Sequence, residues 1–139
     1  TLTRAAQEIG AALGALHAET YSANASLAVF ATQREILALR PDMDAVAKLP
    51  GYGLIVTAPG ADCDFVSRFF APQSGVPEDP VTGSAHCTLI PYWSKRLGKA
   101  RLHARQVSLR GGELWCEDRG ERVTIAGHTA SYLVGTITV

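Results

Sequence analysis

Apolar residues recur at Ala5, Ile9, Ala12, Leu13 and Leu16. That spacing predicts an amphipathic helix over residues 1–17, with Thr3 as its cap. Gly10 and Gly14 weaken the isolated helix by about 1 kcal/mol each relative to alanine, so packing has to support it. Residues 21–31 read as extended, ending in the apolar run Leu27-Ala28-Val29-Phe30. Thr32 followed by Glu35 is a capping box that opens a short helix to Arg40, where Pro41 stops it. Asp42 starts another short helix through Lys48, ended by Pro50-Gly51. Residues 53–58 (Gly-Leu-Ile-Val-Thr-Ala), bounded by Pro59-Gly60, form a buried strand by length and composition. In the following run, 65–71, alternation places Phe65, Ser67 and Phe69 on one face and Val66, Arg68 and Phe70 on the other.

Residues 85–97 are apolar at Ala85, Leu89, Ile90, Trp93 and Leu97, with Cys87 and Tyr92 widening the face. A helix greasy around most of its circumference is a buried one. Pro91 is expected to kink it near Cys87, and Gly98 to end it. Beyond His103 the runs 106–110, 113–117, 122–126 and 130–139 read as short strands separated by turn residues. The expected fold class is α+β, with strands forming a barrel-like shell around a central helix at about 85–97 and short peripheral helices outside.

Between the strand at 65–71 and that helix lies Gly75-Val76-Pro77-Glu78-Asp79-Pro80-Val81-Thr82-Gly83-Ser84-Ala85-His86. Pro77 and Pro80 stiffen the turn and bias Val76 and Asp79 toward extended geometry. Gly75 and Gly83 permit close approach or positive φ. At the helix start the first N–H groups have no internal partner, and the helix dipole favours an anion there. Two readings stand side by side. Asp79 and Ser84 flank a carboxylate-binding helix N-terminus, or the acid is a cap within an ordinary proline-rich turn.

Composition narrows the classes. A chain of 139 residues, 47% apolar and 19% charged, is expected to be a single globular domain, 1–139, with a real core. Thirteen basic residues balance thirteen acidic ones, which argues against an electrostatic nucleic-acid or membrane binder. No apolar run is long enough to span a bilayer as a helix, and no signal peptide is visible. Cys63, Cys87 and Cys116, odd in number and widely spaced, read as reduced thiols of a cytoplasmic protein. His17, His86, His103 and His128 show no metal-ligand spacing, so no metal is indicated. The chain opens on Thr1, already inside a helical pattern, and so reads as a piece of something longer.

Arg68-Phe-Phe-Ala-Pro72 followed by the nine-residue core from Glu78 to His86 resembles the signature of the phenazine-biosynthesis isomerase-like (PhzF-like) family. Arg40-Pro41-Asp42, Pro91-Tyr92-Trp93, residues 106–112 and residues 120–123 support the resemblance, which spans nearly the whole chain. It implies a diaminopimelate-epimerase-like fold of two lobes, each wrapping strands around a central helix, with the active site between facing helix N-termini. It also implies a cofactor-independent isomerase that moves a proton and shifts a double bond in a small amino- or hydroxy-carboxylic acid. By the same resemblance Asp79 and Ser84 are catalytic, while Gly83, Ser84, Gly75 and His86 bind substrate. Cys87 lies too deep to act as the thiol of the related epimerases. The family's main acid/base glutamate belongs to an N-terminal lobe that 139 residues do not contain, so this is the C-terminal lobe alone. The expected partners are a small carboxylate and either the missing lobe or a second copy in a homodimer. The alternative is a non-catalytic carboxylate-binding or dimerisation module. For Arg68 an internal ion pair is expected, for Glu78 a loop anchor, and for His86 a structural hydrogen bond.

Overall fold

The computed structural model describes the backbone of residues 2–22 and 24–138, and the side chains of 4–21 and 24–138. Thr1, Ala23 and Val139, which fall in the expected first helix, extended run and last strand, lie outside the described residues, as does the side chain of the expected cap Thr3.

The backbone forms α1 (Leu2–Leu13), β1 (Glu19–Ser22), β2 (Ser26–Val29), α2 (Gln33–Ala38), α3 (Met43–Val46), β3 (Leu54–Pro59) and β4 (Phe65–Phe70). A 3-10 turn at Pro72–Ser74 leads toward α4 (Gly83–Leu97), followed by β5 (Arg101–Gln106), β6 (Gly112–Asp118) and β7 (Val123–Ala126). The strands make one seven-stranded sheet in sequence order. Two neighbouring pairs are parallel, β2 with β3 and β4 with β5; the others are antiparallel.

Those two parallel pairs decide where the helices go. Each needs a crossover, and crossovers are almost always right-handed. Because β4 runs opposite to β3, two right-handed crossovers advancing the same way across the sheet must lie on opposite faces. They do. The α2–α3 crossover packs Ile36, Leu39, Val46 and Leu49 with α1's Ile9, Ala12 and Leu13 against Leu54, Val56, Val66 and Phe70. The α4 crossover packs Ala85, Leu89, Ile90 and Trp93 against Leu27, Ile55, Phe65, Phe69, Leu102, Ala104 and Leu114. The alternation expected within residues 65–70 is therefore the division between two cores.

Strands β2, β3 and β4, covered on both faces, are buried along nearly their whole length, whereas β5 and β6 alternate because only α4 covers them. Trp93 joins helix to sheet: its ring stacks on Phe65 at 5.7 Å, and its Nε1 donates to Thr57 Oγ1 at 2.9 Å. The Thr57 hydroxyl donates in turn to Val66 O at 2.7 Å.

Several expectations need correction. The seven strands lie in sequence order, with β1 and β7 as the two edges among the described residues. Both edges nevertheless touch α4, β1 through hydrogen bonds of Tyr92 and Arg96 to Glu19, and β7 by direct packing. Nor is α4 buried all round. Ala85, His86, Leu89, Ile90 and Trp93 face the core, while Gly83, Ser84, Cys87, Pro91, Lys95 and Leu97 are exposed. Cys87, expected to widen the apolar face, therefore sits on the open side. Helix α1 stops at Leu13 because Gly14 takes φ +61°, which puts Leu16 out of phase and leaves it 93% exposed.

The run 107–111 is a connection, and residues 130–138 form no strand: Tyr132, Leu133, Val134 and Ile137 are exposed. A β-prone sequence becomes a strand only by pairing, and residues 130–138 pair with neither edge of the sheet. Elsewhere the local signals hold. Thr32 and Glu35 form both halves of the capping box, Asp42 caps α3, and Gly98 ends α4 with φ +67°. Among the described residues no helix is long and apolar enough to cross a membrane.

Candidate active site

Strand β4 ends at Phe70, and the chain must then travel from the sheet to the start of α4. The 3-10 turn closes on Gly75 at φ +80°, which suits glycine, and Gly75 N–H donates to Pro72 O at 3.0 Å. The Gly75 amide is thus already bonded, and the residue serves to turn the chain. Ala71 and Val76 bridge the base of the loop.

Glu78 anchors the next segment. Arg68 on β4 donates from Nε and Nη2 to its two carboxylate oxygens at 2.7 and 2.9 Å. The same guanidinium donates from Nη1 to the carbonyls of Ile36 (3.0 Å) and Leu39 (3.1 Å) at the end of α2, and lies over the Phe70 ring. One arginine therefore ties the turn, β4 and α2 together, which is the internal pair that the sequence pointed to. It leaves Glu78 no free oxygen for chemistry.

Asp79 comes next. Its N–H donates to Phe69 O at 3.0 Å, fixing it against the end of β4. Its Oδ2 accepts from the Thr82 hydroxyl at 2.5 Å. Thr82 is the N-cap of α4, and a threonine there ordinarily turns its hydroxyl onto the helix N–H groups. Here no side chain caps the helix, because that hydroxyl is bonded to Asp79 instead.

The first-turn amides of Gly83 and Ser84 consequently point out of an uncapped helix whose first two residues are exposed. The first turn contains no acidic residue, and Lys95 and Arg96 lie in the last, so the positive end of the dipole is balanced only by Asp79 beside it. Such a terminus attracts an anion through donors and dipole together.

Two residues that sequence reasoning quoted only inside motifs hold this arrangement. Gln106, buried at the end of β5, accepts from Thr82 N–H at 2.8 Å through Oε1. Its Nε2 donates to Asp79 O at 2.7 Å and to Thr82 Oγ1 at 3.0 Å. Ser108 donates to Pro80 O at 2.9 Å and accepts from Gly111 N–H at 3.0 Å, clasping the 107–111 connection onto the turn. A signal for Gln106 was present: Leu102, Ala104 and Gln106 are alternate residues on the core-facing side of one strand, and a buried amide there needs partners.

His86 lies beneath the tip, fully buried against Phe65. Its Nδ1–H donates to Thr82 O at 2.7 Å, while Nε2 is buried without a partner among the described residues. Burial lowers its pKa, and the bond to Thr82 O offsets this only partly. The ring therefore stays neutral and acts on the turn through Thr82.

Gly83 also opens onto a cavity of roughly 940 Å³, walled by Arg105, Gln106, Arg110, Gly112, Glu113 and His128 among others. A Cβ at Gly112 would meet Val81 Cγ2 at 2.4 Å, so the β6 end packs tightly on the turn. Asp79, Thr82, Gly83 and Ser84 are thus brought together, His86 supports them from below, and Gly75 stands apart at the base of the loop.

Comparison with known proteins identifies the family. The family described as phenazine biosynthesis-like protein (PhzC-PhzF) matches residues 3–135. An uncharacterized isomerase of Pseudomonas aeruginosa is 59% identical over 111 residues, covering 80% of this chain and 42% of that protein. A second uncharacterized isomerase from the same organism is 50% identical over 126 residues, 91% of this chain and 49% of that protein. The crystal structure of a PhzF-family phenazine biosynthesis protein from Enterococcus faecalis superposes with a TM-score of 0.84 at 47% identity, over 86% of this chain and 46% of that one. The chain spans about half the length of the curated relatives it matches. With a family match over nearly its whole length and relatives 59% and 50% identical to it, the chain belongs to the phenazine biosynthesis-like (PhzC-PhzF) protein family.

Proposed function

We propose that this chain is the C-terminal lobe of a cofactor-independent isomerase that moves a proton and shifts a double bond in a small amino- or hydroxy-carboxylic acid. The observation that carries the proposal is the uncapped start of α4, whose exposed Gly83 and Ser84 amides sit beside Asp79 because Thr82 is bonded to that acid. The substrate carboxylate docks on those amides. Asp79 and Ser84 line the reacting atoms, and the sheet curling from β1 to β7 around α4 holds the tip in place. Family membership, with relatives named isomerases, supports the reaction class.

Proton transfer needs a base within hydrogen-bond reach of the moving proton. Glu78 is fully engaged by Arg68, so it does not supply a second acid/base group beside Asp79. The main acid/base glutamate belongs to an N-terminal lobe, and the 139-residue chain alone is inactive. Titration with anthranilate, followed by amide NMR, is expected to move the Gly83 and Ser84 signals while the chain alone exchanges no substrate proton with D2O. Unmoved amides at saturating ligand remove the carboxylate site, and turnover by the isolated chain removes the half-site reading.

A second reading, a carboxylate-binding module that dimerises, draws on the exposed apolar side chains of Leu16, Tyr132, Leu133, Val134 and Ile137. Sedimentation equilibrium showing a dimer that binds the acid without reaction in the full-length protein would favour it.

A further inference from the structure

Gln106 sits where every hydrogen in the turn can be assigned from chemistry. Its Oε1 faces a backbone N–H, that of Thr82, at 2.8 Å, and its Nε2 faces a backbone carbonyl, that of Asp79, at 2.7 Å. A peptide N–H can only donate and a carbonyl can only accept, so the amide has one possible orientation. Its Nε2, 3.0 Å from Thr82 Oγ1, must therefore donate to that hydroxyl as well. The hydroxyl has a single hydrogen, and its remaining neighbour is Asp79 Oδ2 at 2.5 Å. That hydrogen points at the carboxylate. One acceptor site of Oδ2 is taken by that hydroxyl, while Oδ1 has no protein partner among the described residues and is not buried.

We propose that Gln106 and Thr82 are positioning residues that hold Asp79 by its Oδ2 edge and present the unpartnered Oδ1 to a ligand bound at the tip of α4. The inference rests on the reading of that tip as a carboxylate site. It adds a direction. The Thr82 hydroxyl spends its one hydrogen on Oδ2, which leaves Oδ1 as the acceptor best placed for a ligand that brings its own hydrogen. A ligand with an N–H or O–H beside its carboxylate satisfies both the amides and Oδ1; one with only a carboxylate leaves Oδ1 unmatched.

Gln106 is 1% exposed, so nothing but these bonds explains a polar side chain at a core-facing position of β5. The same bonds account for the missing helix cap, because they hold the Thr82 oxygen toward Gln106 and Asp79 and away from the first-turn amides of α4.

The test uses the 139-residue chain and two probes of matched size, benzoate and anthranilate, with affinities read from the Gly83 and Ser84 amides. The wild type is expected to hold anthranilate about tenfold more tightly, the order of one hydrogen bond to a charged acceptor. In Thr82→Val and Gln106→Glu that preference falls to about twofold, read as the ratio of the two affinities in each variant; Thr82→Ser keeps it. A merely structural role would weaken both acids equally, and variants that retain the wild-type preference overturn the proposal.

The Thr82 hydroxyl proton supplies a second readout independent of any ligand. It should give a slowly exchanging signal coupled to the Asp79 carboxyl carbon in the wild type and lose that coupling in Gln106→Glu. If neither acid binds, the carboxylate site fails but this signal still decides the polarity: its absence in the wild type overturns the assignment.

Discussion

Glu78→Gln removes one charge from a pair that the fold has already desolvated. The Arg68 and Glu78 side chains are 12% and 22% exposed, so water cannot replace the lost partner. In the wild type two charge-assisted bonds of 2.7 and 2.9 Å join them. Glutamine keeps one carbonyl acceptor, and Arg68 keeps its bonds to Ile36 O and Leu39 O and its contact with Phe70. Breaking a buried pair by removing one partner costs about 3–5 kcal/mol, and the retained acceptor offsets part of it, leaving about 2–3 kcal/mol. At about 4 °C per kcal/mol for a chain of this length, Tm falls by roughly 8–12 °C. Arg68→Met should cost more, about 3–5 kcal/mol, since it strands both Glu78 and the α2 carbonyls. Urea unfolding followed by the fluorescence of Trp93 measures both, and the double variant should show coupling of about 2 kcal/mol. A Glu78→Gln change within 0.5 kcal/mol of wild type, at unchanged m-value, would refute the claim that this pair anchors the turn.

Two further outcomes follow from buried polar groups. Thr57→Val preserves shape but strands the Trp93 indole N–H, so stability should drop by about 1–3 kcal/mol; a loss under 0.5 kcal/mol would show that the indole finds another acceptor. His86 has its pKa lowered by burial, so the fold favours its neutral form. Its contribution is fully present above the unfolded value of about 6.5 and is lost as pH falls from there toward the folded value, at most about 1.4 kcal/mol per pH unit. Urea unfolding at pH 7.5, 6.5 and 5.5 should show a shallower decline in His86→Gln than in wild type, the depressed His17 contributing equally to both; identical slopes would mean that His86 is not held neutral.

Local rules explain what was legible. Thr32 with Glu35, Asp42, Gly98 and the alternation of Phe65 to Phe70 each depend on residues a few positions apart, and each appears where the pattern placed it. The resemblance carried by Glu78 to His86 led to the family for the same reason: the turn's chemistry is contiguous in sequence. The misreadings share the opposite cause. Leu16 continues a helical stripe on paper, yet one left-handed glycine ends the helix first. Residues 130–138 have strand composition, but a strand is a pairing, and none is present among the described residues.

By itself, then, the order of residues determined the helix caps, the strand faces, the stiff acidic turn and the family. Only the folded chain decided that α4 is covered on one side rather than all round, because that depends on which strands the two crossovers place opposite each other. Only it brought Gln106, 27 positions from Asp79, to the tip of α4. Hydrogen bonds of that range have no periodicity to betray them, and here they determine which way the hydroxyl between the two residues points.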